Sequence, residues 1–389
     1  MLDFTYYAPT KVHFGKGKEQ QVGEIVASYG FQTVMLQYGK ESIKKSGLYD
    51  TVMASLSAAG IRVVEMGGVE PNPKIEFVRE AAALAKKEGV ELILAVGGGS
   101  VIDSSKYTAL AAANDGDVWD FITRKRTPAS ALPVGVILTI AAAGSEMSGS
   151  AVLSNLELSM KRGLNGDFNR PLFAICNPEL TYTVSRYQTA CGIVDIMAHT
   201  MERYFTDCKA TPLTDRLAES ILVSVIEAGK VLMDSPDDYE ARATMMWASS
   251  LSHNDLTGCG RENALPVHQL EHALSGEFDH IAHGAGLAVL FPAWGRYVLE
   301  ENLPRFAQFA RRVWGVSEED ERLAALAGIE KMSEYFASLG MPQKLSDFGI
   351  PKDILSKLTE LCTFGNTRTV KSYVELNQKT IQEIFESCY

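Results

Sequence analysis

Asp195 and His199 stand four residues apart in CGIVDIMAHTMERYF (191–205), a stretch whose other residues are mostly apolar. Four residues is just over one helical turn, so a helix presents both side chains on one face, where they can share a partner. A carboxylate among apolar neighbours is costly without a cation, because burial penalises its charged form. No Lys or Arg lies one turn from Asp195. A second group follows in LPVHQLEHALSGEFDHIAHGAGLAVLFP (265–292), where His268, His272, His280 and His283 make up four of the seven histidines of the chain. His268 and His272 are again four apart. A lone histidine on an apolar helix is most often a satisfied core residue, but this clustering points to a metal. Three imidazoles and one carboxylate suit a divalent first-row ion such as iron or zinc better than magnesium or calcium.

A second chemistry is written in LILAVGGGSVIDSSKYTALAAA (92–113), which reads as a buried strand, three glycines and a helix from near Ser100. Gly97, Gly98 and Gly99 let the backbone approach a ligand closely, and the free N–H groups of the new helix favour a phosphate. The spacing is not GxGxxG, and no Walker lysine with Ser or Thr follows. Asp103 and Lys106 sit at the start of that helix, where an acid also suits the helix dipole and a lysine is often merely solvated. In ILTIAAAGSEMSGSAV (137–152) a second strand runs into small residues, and Thr139, Ser145 and Ser148 are expected to line the same cleft.

The elements that must position these groups divide the chain in two. Short β-branched runs (TVMLQYG, IRVVEMGG, ELILAVGGGS) alternate with amphipathic stretches in the first half, the pattern of βαβ units around a parallel sheet. Gly60 and Gly89 follow two of the periodic stretches as left-handed caps. Beyond about residue 180 long helix-compatible segments dominate. The expected domains are 1–180, α/β, and 181–389, all helical, and ligand sites favour a cleft between domains. At 389 residues, 46% hydrophobic and 22% charged, the composition is that of an ordinary globular protein. A net charge of −11 argues against a nucleic-acid partner. Six cysteines without a CxxC pair suit reduced thiols, and neither a signal peptide nor a run long enough to span a membrane is found, so a cytoplasmic location is expected.

Taken together, APTKVHFGKGK (8–18), EPNPKIEFVREAAALAKKEGVELILAVGGGSVIDSSK (70–106), ILTIAAAGSEMSGSAVLSN (137–155), NPELTYTVSRYQTACGIVDIMAHTMERYF (177–205) and HQLEHALSGEFDHIAHGAGLAVLFPAW (268–294) resemble the iron-containing (group III) alcohol dehydrogenases, in particular their NADPH-linked butanol dehydrogenase branch. The resemblance implies an α/β dinucleotide-binding domain followed by an all-helical metal domain, the dehydroquinate synthase-like architecture. It implies Asp195, His199, His268 and His283 as ligands of one divalent metal, Fe²⁺ favoured and Zn²⁺ possible, and places His272 beside the nicotinamide as a catalytic histidine. His280 inherits no role. Gly97, Gly98, Gly99 and Ser100 fall at the pyrophosphate with Asp103 close by, and Asn72, Thr139, Ser148, Lys161 and Leu180 at other nucleotide contacts. Where many NAD-using members carry an acid after the second strand, this chain reads LQYGKES, with Gly39 in that place and Ser42 nearby. An acid there would repel a 2′-phosphate, so NADP(H) is favoured over NAD(H). The implied reaction is hydride transfer between NADP(H) and a short alcohol or aldehyde, butanol or butanal by family default, in a homodimer that binds neither nucleic acid nor membrane. The alternatives are a zinc-dependent glycerol-type dehydrogenase of the same superfamily and a non-catalytic nucleotide sensor. The chain departs from the commonest family pattern in GIVDI (192–196) and in TIAAAGSE (139–146).

Overall fold

A computed structural model describes residues 1–208 and 210–389. They form two units, Tyr7–Val184 and Ser185–Tyr389, the second also including Met1–Tyr6. The division falls at Ser185, whose hydroxyl caps the long helix Arg186–Tyr204 by accepting from the Gln188 amide. It lies a few residues beyond the boundary expected from composition, because a short 3-10 turn, Pro178–Thr181, still belongs to the first unit.

The first unit is built on the strands β1 (Lys11–Phe14), β2 (Thr33–Tyr38), β3 (Arg62–Gly67), β4 (Leu92–Gly97), β5 (Val134–Leu138) and β8 (Phe173–Cys176), paired in the order β1-β8-β5-β4-β2-β3. All these pairings are parallel. The central strand β4 is buried along its whole length, which is why it reads as a continuous apolar run. Two further strands, β6 (Ser150–Asn155) and β7 (Met160–Asn165), make a separate antiparallel pair that the α/β reading does not anticipate. Gly89 closes the helix Ile75–Glu88 at φ 63°, and Gly60 follows the helix Leu48–Ala58 at φ 71°.

The chain leaves β2 for β3 and then returns to lay β4 on the other side of β2, so the strand order reverses between β2 and β4. In doubly wound sheets ligands bind beyond the carboxyl ends of the strands at such a reversal. Register sets Tyr38 beside Val96 and Gly97 beside Leu138. Gly39, the segment from Gly97 to Ser100, and Thr139 therefore follow the ends of three neighbouring strands.

The second unit is helical. Arg186–Tyr204 is buried on every side from Thr189 onward, as a helix enclosed by others must be. It packs against Pro212–Asp234, Tyr239–His253, Pro266–Glu277 and His283–Val298. The approach of the last of these depends on Gly284, where a Cβ would lie 2.2 Å from the backbone oxygen of Cys191, one turn before Asp195. No helix among the described residues is long and apolar enough to cross a membrane.

Candidate metal centre

Three helices carry the four proposed ligands. Arg186–Tyr204 presents Asp195 and His199, Pro266–Glu277 presents His268, and His283–Val298 begins at His283. Their atoms converge on Asp195 Oδ1. His199 Nδ1 lies 3.1 Å from it, His268 Nε2 3.5 Å and His283 Nε2 3.8 Å. Asp195, His199 and His268 are buried, with donor atoms within 4.8 Å of one another. His272 lies outside this set, its ring 6.4 Å from that of His268 and 5.6 Å from that of His283. His280 lies on the exposed turn that follows, its ring 6.0 Å from Phe278.

Each ligand imidazole is fixed through Nδ1. His199 donates to the Asp195 carbonyl at 3.0 Å, His268 to Glu202, and His283 to Glu271. For His268 and His283 the Nδ1–H bond leaves Nε2, the atom turned towards Asp195 Oδ1, as a lone-pair donor, the arrangement by which outer carboxylates orient metal-binding histidines. The His199 atom nearest Asp195 Oδ1 is instead Nδ1. Glu202 and Glu271 are fully buried. Glu202 does a second job, accepting from the amides of Val267 and His268 and so capping Pro266–Glu277, whose own N-cap residue supplies no side-chain bond.

The residues fit a divalent cation. Asp195 Oδ1 and His268 Nε2 are buried without a hydrogen-bond partner, although they lie only 3.5 Å apart. Three buried carboxylates, Asp195, Glu202 and Glu271, concentrate negative charge around the three imidazoles. Burial and the neighbouring His268 push His199 down to about 4, leaving it neutral as a ligand must be. Burial alone would also lower His268, but Glu202 and Asp195 outweigh it and raise that ring to about 9. Burial would raise Asp195, yet the imidazoles around it hold its carboxyl well below the ordinary range.

Arg203 and His253 complete the surroundings. Arg203 donates to the His199 carbonyl and to His253 Nδ1, both at 2.9 Å, and the His253 ring meets the His199 ring edge-on at 4.0 Å. Glu202, Glu271, Arg203 and His253 were not singled out in the sequence. For the two acids a signal existed: Glu202 continues the Asp195 and His199 face at i+7, and Glu271 stands three residues after His268.

In the first unit, Gly98 caps the helix Gly99–Ala112, whose first turn lies half-buried just beyond β4. The glycines differ in what they allow. At Gly97 a Cβ would meet the Val101 side chain at 2.5 Å, whereas at Gly99 it would have room. Gly97 thus serves helix-to-strand packing, and Gly98 to Ser100 form the accessible part of the turn. Thr139 is anchored there by its amide on the Gly97 carbonyl at 3.0 Å.

Asp103 and Lys106 are turned inward. Asp103 accepts from Ser145 Oγ at 2.6 Å and from the Val152 amide at 2.9 Å, while Lys106 Nζ donates to Ser145 Oγ, the Ser148 carbonyl and the Ser150 carbonyl at 2.8–2.9 Å. Together they tie the segment 145–152 to the glycine-turn helix. Ser148 itself is buried and accepts from the Ser150 amide. Lys161 Nζ donates to Asn72 Oδ1 at 3.0 Å, and its charge reaches Asp103. Gly39 is half-buried at the end of β2, Ser42 is exposed at the start of the short helix Ser42–Lys45, and Leu180 packs on the core around Leu36 and Tyr38.

Comparison with known proteins shows the family of the chain. The family model for iron-containing alcohol dehydrogenase matches residues 9–178, and the model for the C-terminal part of the same family matches 189–389. The chain is 42% identical to NADH-dependent butanol dehydrogenase A of Clostridium acetobutylicum over 391 residues, covering 100% of both. It is 36% identical to the NADPH-dependent aldehyde reductase YqhD of Escherichia coli, covering 92% of this chain and 94% of that one. The crystal structure of NADH-dependent butanol dehydrogenase A from Thermotoga maritima superposes with a TM-score of 0.96 at 37% identity, covering 100% of this chain and 99% of the other. The protein is an oxidoreductase of the iron-containing alcohol dehydrogenase family, in its butanol dehydrogenase branch.

Proposed function

We propose that the chain interconverts short-chain primary alcohols and aldehydes, butanol and butanal among them, with NADP(H) as hydride carrier and one divalent metal, Fe²⁺ or Zn²⁺, held by Asp195, His199, His268 and His283. The observation that carries this reading is the convergence on Asp195 Oδ1 of three imidazoles, two of which, His268 and His283, are fixed through Nδ1 by buried carboxylates. When bound, such an ion acts as a Lewis acid on the carbonyl oxygen of the aldehyde. The protein's own part is positioning. Asp195 supplies the single carboxylate charge, Glu202 and Glu271 keep His268 and His283 in the tautomer that leaves Nε2 for the ion, and Arg203 with His253 fixes His199. His272, half-buried beside His283, supplies the proton that the alcohol oxygen takes after hydride transfer. In the first unit, Gly98 to Ser100 take the pyrophosphate, with Thr139, Asn72, Lys161, Ser148 and Leu180 at the rest of the nucleotide and Asp103 supporting the turn.

The relatives named above carry opposite cofactor names, so the choice of NADP(H) rests on residues 39–45. Lys40, Lys44 and Lys45 accompany Gly39 and Ser42 there, against Glu41 alone. A net positive segment favours a 2′-phosphate. We also propose a homodimer formed along β1, which has a neighbour on one side only and carries exposed Phe14. Six free cysteines suit a reducing cytoplasm. Initial rates of NADPH and NADH oxidation with butanal, on protein loaded with Fe²⁺ or Zn²⁺, test the reading. A preference for NADPH is expected; equal rates and affinities with both would remove the cofactor assignment, and no oxidation with either would remove the substrate class.

A further inference from the structure

Asp195, His199 and His268 are only 4%, 5% and 4% exposed, so an ion arriving from water needs a route to them. A second donor set stands next to the first. The ligand atoms of Glu271, His272 and His283 lie within 4.8 Å of one another, with both histidines partly exposed. His283 belongs to both sets. Its side chain is 24% exposed, its Nε2 lies 3.8 Å from Asp195 Oδ1, and its Nδ1 is bonded to Glu271. The rings form a series running inward: His272 stacks on His283 at 5.6 Å, His283 lies 5.2 Å from His268, and His268 lies 4.2 Å from His199.

We propose that Glu271, His272 and His283 form a transit site, at which a divalent first-row cation is held before it passes inward to the Asp195 set. Two imidazoles and a carboxylate are donors such an ion accepts. They let it exchange water for protein ligands in steps instead of shedding its hydration at once. His283 stands between the two positions, bonded to Glu271 through Nδ1 and with Nε2 3.8 Å from Asp195 Oδ1. This inference rests on the metal centre proposed above.

A site on the path but not at its end has a distinctive signature: its loss slows arrival and departure by the same factor and leaves the equilibrium unchanged. A ligand, or a residue supporting one, behaves otherwise, since its loss weakens affinity by roughly 10–100-fold. The test uses full-length protein stripped of metal. Co²⁺ is mixed in by stopped flow, binding is followed by its d–d absorption, release is followed after a chelator chase, and the dissociation constant comes from a separate titration. For His272→Ala, both rates should fall about tenfold, equivalent to about 1.4 kcal/mol on the barrier, with the dissociation constant and the final spectrum unchanged. Unchanged rates, or a weakened dissociation constant, would overturn the transit site. Should the alanine variant not fold, His272→Asn is read against the same outcomes. Wild-type protein that takes up no Co²⁺ would instead remove the metal centre itself, a failure told apart from that of the transit site.

Discussion

Replacing Glu202 by Gln isolates what the buried carboxylate does for the metal centre. Glu202 accepts three bonds, from the amides of Val267 and His268 and from His268 Nδ1. The amide oxygen of Gln can keep the two backbone bonds. Its NH₂ group then faces His268 Nδ1, so the ring must accept there and carry its proton on Nε2, the atom aimed at Asp195. Changing two charge-assisted bonds to neutral ones costs about 2 kcal/mol of stability, at roughly 1 kcal/mol each. The wrong tautomer costs roughly 10–100-fold in metal affinity, as losses of an outer partner do, or about 1.4–2.7 kcal/mol. Co²⁺ titration alongside thermal unfolding of the metal-free protein separates the two effects. The expected result is a folded protein, modestly destabilised, that binds Co²⁺ at least tenfold more weakly. A dissociation constant within twofold of wild type would refute the reasoning, because it would mean that His268 does not depend on Glu202 for its orientation.

Other outcomes follow from the same contacts. Gly284→Val should prise His283–Val298 from the Cys191 backbone, which a Cβ would approach to 2.2 Å; calorimetry should show a loss of several kcal/mol, about the upper range for overpacking or more, together with lost metal. Lys106 is buried and desolvation lowers it from 10.5 to about 8. Its folded-state pKa lies below its unfolded one, so its contribution to stability is fully present above pH 10.5 and is lost as pH falls through about 8. Denaturant titrations should therefore show wild type gaining about 3 kcal/mol relative to Lys106→Met across that window, and parallel curves would refute the assignment. Gly39→Asp should weaken NADPH binding about tenfold, the effect of about 1.4 kcal/mol, while leaving NADH binding nearly unchanged; equal effects on both would place the 2′-phosphate elsewhere.

The parts of the protein that could be read from its sequence are those where one local period carries the information. Asp195 with His199, and His268 with His272, declare themselves because four residues make a helical turn. The run LILAVGGG declares a buried strand and its turn. What escaped depends on contacts between distant segments. Glu202 and Glu271 share a helix face with the histidines, but their spacing alone does not tell them from surface acids; it is the packing of three helices that turns them onto the imidazoles. Asp103 reads equally well as a ligand-facing residue and Lys106 as a solvated one; the segment 145–152, which supplies their partners, is what draws them into the protein. Met1–Tyr6 joins the helical unit through the Leu2 amide on Gly260 and the Asn254 side chain on Tyr6, bonds between residues 248 or more apart in sequence that leave no local trace.

The central claim is that Asp195, His199, His268 and His283 hold a metal on which the reaction depends. The most direct test is NADPH oxidation with butanal by anaerobically purified, metal-stripped protein, measured before and after addition of Fe²⁺ or Zn²⁺, with His268→Ala alongside. Turnover that appears only with metal, and never in the variant although it still binds NADPH, is the expected result. Full turnover in the stripped protein, or in His268→Ala, would contradict it.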